Sequence, residues 1–137
     1  MKTESIQKSE AKRWLRYAKE DLNVAKALIN DPQSAIPRHI CWLSEQAAEK
    51  ALKAVLIFLK IDFQKTHDLD TLRNKIPNDW SVKRHNDLAF LTEWSVEARY
   101  PGDWEEASQQ EAIESINQAI QILNDVETEF AEKGINV

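Results

Sequence analysis

Gln46-Ala47-Ala48-Glu49-Lys50-Ala51-Leu52-Lys53-Ala54-Val55-Leu56 is the stretch that decides the fold. It holds neither glycine nor proline and consists largely of strong helix formers. Ala47, Ala48, Ala51 and Ala54 fall on the side of the helix that would meet a core, where large apolar residues are usual; methyl groups there let a second backbone approach closely. Outward from this run, Ile40 and Leu43 before it and Val55 and Phe58 at its end continue the inner face. The spacing therefore predicts a central helix that starts between Ser34 and Pro37 and reaches about Lys60. Pro37 suits a first turn, because the N–H it lacks would have had no partner there.

The same periodicity reads out four more helices. Trp14, Ala18, Leu22, Ala25 and Leu28 or Ile29 recur at steps of three and four, which predicts a helix over about Ser9–Asn30, stopped by Asp31-Pro32-Gln33-Ser34. Asp68 is placed to cap a short helix over Leu69–Lys75, ended by Pro77. A fourth helix is expected from Trp80 to about Ala98, with a looser stripe of Val82, Leu88, Leu91 and Trp94. Ser108-Gln109-Gln110-Glu111 spells a capping box before a fifth helix whose stripe runs through Ile113, Ile116, Leu123, Val126 and Phe130, with Gly134 just past its end. The fold class expected is all-α: a five-helix up-and-down antiparallel bundle with one short helix. It forms a single domain over 1–137, with a core at about 9–132 and frayed ends.

Composition narrows the function classes. A lone cysteine, Cys41, excludes an internal disulfide and suits a reducing compartment. No stretch resembles a signal peptide or approaches the ~20 apolar residues that span a bilayer, so a cytoplasmic protein with no membrane partner is expected. The net charge of −5 speaks against a general nucleic-acid coat, but it is unevenly spread. Residues 1–102 carry 17 Lys and Arg against 14 Asp and Glu, whereas 103–137 carry one Lys against nine acids. A weakly basic body could still hold a phosphate in one cleft.

His39, His67 and His85 form no local metal motif, and Gly102 and Gly134 cannot build a phosphate loop, so no cofactor is expected. Gln46, Glu49, Lys50 and Lys53 lie at helical neighbour spacing. They fit an intrahelical ion pair on a solvated face; they also fit a Lys50 held by amide and carboxylate toward a phosphate. His67, just before Asp68, stands at a helix entrance where unpaired N–H groups would favour an anion. Arg99-Tyr100-Pro101 ends the fourth helix, offering a cation for a helix end or a phosphate, and a ring that anchors a turn or stacks on a base. Of the five tryptophans, Trp42 and Trp104 fit the apolar stripes least and are candidates for a partner surface.

Taken in order, the alanine-rich run from Gln46 to Ala54, Thr66-His67-Asp68-Leu69 and Arg99-Tyr100-Pro101 resemble the HEPN domain family. Ala18-Lys19-Glu20-Asp21-Leu22-Asn23-Val24-Ala25 and the Ala112–Val126 segment are similar to it too, so the resemblance spans about 9–130. It implies a helical bundle that commonly forms homodimers and is often encoded beside a minimal nucleotidyltransferase partner. Some members are metal-independent endoribonuclease toxins of toxin–antitoxin systems; others bind nucleotides or protein partners without catalysis. The ribonucleases carry an arginine and a histidine about four to six residues apart, and no arginine here is followed by histidine at that distance. Arg38 and Arg84 are each followed at once by histidine, which on a helix would point the two side chains about 100° apart. The resemblance thus favours a nucleotide- or phosphate-binding module. Lys50 and Arg99 would supply charge, His67 a hydrogen bond and Tyr100 stacking, with Gln46, Glu49, Lys53 and Asp68 in support.

Overall fold

A computed structural model of the chain describes residues 2–95 and 106–135, with side chains from Ile6 onward. Within them the protein is all-α: α1 (Lys2–Ile29), α2 (Pro37–Phe58), α3 (Leu69–Asn74), a 3-10 turn (Ser81–Arg84), α4 (Ala89–Thr92) and α5 (Gln109–Glu132). No helix among them is long and apolar enough to cross a membrane.

α2 is the middle rod, packed chiefly on α1 and then on α5. Ala47, Ala48, Ala51 and Ala54 are all fully buried, and α1 meets the rod with Ala11, Ala18 and Ala25, spaced seven apart, and with Leu15 and Leu22 between them. The inner stripe of α1 thus runs through Leu15, while Trp14 is only half-buried beside it. The helices run in opposite directions: Gln7 Nε2 donates to the Ile57 carbonyl at 2.5 Å, and further along α1 Asp21 meets Lys50 at 2.6 Å. At the C-terminal end of the rod Phe58, Trp80 and Phe130 stack edge-on or tilted, with ring centroids 5.4–6.0 Å apart. Such rings bury large area and favour these crossed geometries, so this cluster joins α5 to α2.

The helix ends follow the local chemistry. Pro37 opens α2. Asp68 caps α3 by accepting from the N–H groups of Asp70 and Thr71. Ser108 and Glu111 form the reciprocal capping box of α5. Past α5, Gly134 takes φ +83°, and Ile135 and Gly134 donate to the carbonyls of Phe130 and Ala131. This Schellman arrangement tucks Ile135 under the bundle. The same pair of bonds closes α2, from Ile61 to Leu56 and from Lys60 to Ile57, although Lys60 must adopt φ 59° to make it.

Two expectations are corrected here. α1 begins at Lys2, seven residues before the start expected near Ser9. Over the described part of the expected fourth helix, residues 80–95, a 3-10 turn and the four-residue α4 stand in place of a continuous helix, and its expected end near Ala98 lies outside the described residues. Contacts from outside hold the break: Glu129 of α5 accepts from the Ser81 N–H at 2.8 Å, and Asp70 of α3 accepts at 3.0 Å from the Leu88 N–H, which a continuous helix would have bonded internally. Between them Asp87 sits in the left-handed region at φ 55°, which breaks the ladder. Arg73 then ties the break down by donating to the His85 carbonyl at 2.6 Å.

Candidate functional site

Charged side chains enter the bundle on the face of α2 that looks toward the α2–α3 connection. Glu45 and Glu49, one turn apart, are both buried, and so is Lys53 a further turn on. Lys53 Nζ donates to Glu49 Oε2 at 2.9 Å. The pair is only 10% and 7% exposed, so it is a desolvated ion pair rather than the solvated one the sequence suggests. Lys53 is also 5.9 Å from the ring centres of Trp14 and Phe63, which face its ammonium with their π-clouds.

His67 arrives from the connection and places Nδ1 2.7 Å from Glu49 Oε1. Glu49 thus holds a lysine on one oxygen and an imidazole on the other. Where the Glu49 carboxylate accepts, Nδ1–H is the donor, and the contact fixes the orientation of the ring. Gln46, half-buried, donates to Glu45 Oε1 at 2.7 Å. Glu45 Oε2 is buried with no hydrogen-bond partner among the described residues. Burial, reinforced by the Glu49 carboxylate beside it, pushes the Glu45 carboxyl up to about 9. At neutral pH it therefore keeps its proton, and the O–H supplies the donor that the site otherwise lacks.

The other residues singled out in the sequence fall elsewhere. Lys50 points to α1 and pairs with Asp21 at 2.6 Å, both side chains about a quarter exposed, so its charge is already met. Asp68 fills the entrance of α3 itself, and Leu69 N–H is taken by Thr92 Oγ1 at 3.1 Å. The anion expected beside His67 at that entrance has lost its donors to these two side chains. Trp42 is exposed on α2. Arg99, Tyr100 and Trp104 lie outside the described residues.

Sequence reasoning missed Glu45. The available signal was a carboxylate one turn before Glu49 on the apolar face, in line with Cys41, Ala48 and Leu52, where an unpaired charge does not belong. It also missed a second cluster. Arg84 Nε and Nη2 reach Asp125 of α5 at 2.9 and 3.3 Å, and His85 Nε2 reaches the same carboxylate at 2.6 Å. The divergence expected of adjacent residues fails because the 3-10 turn ends at Arg84 and His85 is extended, with φ −73° and ψ 115°. Burial works to raise the Asp125 carboxyl, but the hydrogen bonds from Arg84 and His85 outweigh it and hold it below its usual range.

The bundle and its placed residues agree with three comparisons. The HEPN domain profile matches residues 11–129. The chain is 32% identical over 139 aligned residues to "Putative toxin MJ1304" of Methanocaldococcus jannaschii, covering 90% of each chain. It superposes on the crystal structure of ST0689, an archaeal HEPN homologue, with a TM-score of 0.67 and 28% identity, covering 88% of this chain and 97% of that one. The protein is an all-helical module of the kind these features define. It belongs to the HEPN domain family.

Proposed function

We propose that the chain is the toxin-type HEPN component of a two-part system. In this reading it takes a phosphate-bearing ligand, a nucleotide or RNA, beside His67, and it assembles as a homodimer or with a nucleotidyltransferase-like partner in the cytoplasm. The observation that carries it is the 2.7 Å contact by which a buried carboxylate of α2 fixes the His67 ring. An imidazole held in one orientation is set up to hydrogen-bond a phosphate or move a proton, and bundle packing does not require it. The toxin name borne by the archaeal relative supports the same class.

The roles divide accordingly. His67 meets the ligand, Glu49 orients it, and Gln46, Lys53 and Asp68 hold the surrounding side chains and loop. Arg99 supplies charge and Tyr100 stacks. Lys50 contributes only by exchanging Asp21 for a phosphate. Trp42 and Trp104 serve the partner surface.

Calorimetric titration with mono- and dinucleotides tests the reading. Saturable binding is expected, lost in His67→Ala with the helical circular dichroism unchanged; equal binding by that variant, or none by the wild type, overturns it. A second reading, metal-independent RNA cleavage, is favoured by the same Glu49–His67 pair, which is the arrangement of a base and its orienting group. RNA degradation in the presence of a chelator, abolished by His67→Ala, would select it over simple binding.

A further inference from the structure

We propose that Glu45, Glu49 and His67 form a binding site for a first-row divalent transition cation, of which Mn2+ and Zn2+ are the representatives to test. One ligand-type atom from each residue, two carboxylate oxygens and an imidazole nitrogen, lies within 4.8 Å of the other two. Tetrahedral ligands at about 2.1 Å from zinc stand about 3.4 Å apart, so the cation would displace the proton shared by His67 Nδ1 and Glu49 Oε1, spread their 2.7 Å contact and draw Glu45 in. One nitrogen with two oxygens suits manganese, iron, cobalt or zinc better than magnesium or calcium, which favour oxygen alone.

The cluster is more than a group of acids, because its outer partners are arranged as a metal site needs. Gln46 anchors Glu45 by Oε1, and the other oxygen, Oε2, is left fully buried without a partner. Lys53 anchors Glu49 by Oε2, and Oε1 is turned toward His67. Each carboxylate is thus oriented through one oxygen and presents the other inward, the division of labour between ligands and their supporting shell. Glu45 is 0% exposed and lies against a second carboxylate, so a divalent cation would take the place of its proton and offset the repulsion between the two acids. Both glutamates ride on the central helix, while His67 comes from the connection after it, so the cation would staple that connection to the rod. Lys53 is the competing charge, and the faces of Trp14 and Phe63 give its ammonium a second resting place.

The inference does not depend on the phosphate reading, since binding is measured with metal alone. Tag-free protein, stripped with a chelator and desalted, is titrated with MnCl2, ZnCl2 and MgCl2 in a calorimeter, and with CoCl2 while the visible absorption is followed. One equivalent of Mn2+ or Zn2+ is expected to bind, with cobalt bands of a nitrogen- and oxygen-ligated ion and little heat from Mg2+. Glu45→Gln and His67→Asn should each weaken binding by at least about 100-fold, the upper end of what losing a mere outer partner costs. Lys53→Met should tighten it. Absence of stoichiometric uptake by the wild-type chain overturns the proposal, whatever the variants do. So does undiminished affinity in both ligand variants.

Discussion

Two histidines in this molecule lean on carboxylates at nearly the same distance, His67 on Glu49 at 2.7 Å and His85 on Asp125 at 2.6 Å, yet the surroundings differ in sign. At Asp125 one carboxylate receives donors from Arg84 twice and from His85 once, and its pKa falls. That cluster is closed, and it clasps the 3-10 turn to α5. On α2 two carboxylates share the donors of Gln46, Lys53 and His67, one oxygen is left over, and the Glu45 carboxyl rises to about 9. A carboxylate with its donors met explains itself as architecture. One that is short of donors is a place for a proton, a cation or a ligand.

Removing the acid at each site should give opposite results. Asp125→Ala leaves the buried His85 imidazole without its partner and should destabilise the fold by about 2 kcal/mol, read as a lower urea midpoint at unchanged slope. Glu45→Gln keeps the shape and the Gln46 contact but removes a group that resists ionising, so in chelator at pH 8 it should stabilise the fold by about 1 kcal/mol.

The pH dependence sharpens the contrast. Between about 4.5 and about 9 the folded Glu45 holds a proton that the unfolded chain releases, so its contribution is complete at low pH and is lost as pH rises through that window. Thermal melts should show this decline in the wild type and a flatter profile in Glu45→Gln. Asp125 and Glu129 act the other way. Glu129 is held low first by the Ser81 N–H, against burial, and then by Lys133. Their stabilisation is present above the usual carboxylate range and disappears as pH falls through the lowered folded values. Asp125→Asn should therefore flatten acid unfolding while leaving the alkaline limb alone. The smallest effect should come from Asp21→Asn: its partly exposed pair with Lys50 lies outside both clusters and should shift stability by less than about 1 kcal/mol.

What could be read in the sequence is what depends on neighbours along the chain. The Asp68 cap, the Ser108–Glu111 box, Pro37 at the start of α2 and Gly134 past α5 each rest on contacts within a few residues, and each is found where expected. The fourth helix could not be read, because Asp70 takes the Leu88 donor from 18 residues away and Glu129 holds the 3-10 turn at Ser81 from 48. Leu15 replaces Trp14 in the α1 stripe because a narrow seam of alanines accepts the smaller side chain and leaves the indole at its edge. The candidate site was half visible. Glu49, Lys53 and His67 were singled out, but their convergence, and the part taken by Glu45, required the packing of the connection against α2.

The methyl-lined seam between α1 and α2 also constrains how this protein can diverge. Where bulky side chains interdigitate, a change on one helix can be matched by a complementary change on the other, and lineages wander through pairs of such swaps. Ala18 facing a rod of Ala47, Ala48, Ala51 and Ala54 offers no volume to trade. Drift in this molecule is channelled instead to its outward faces and its loops.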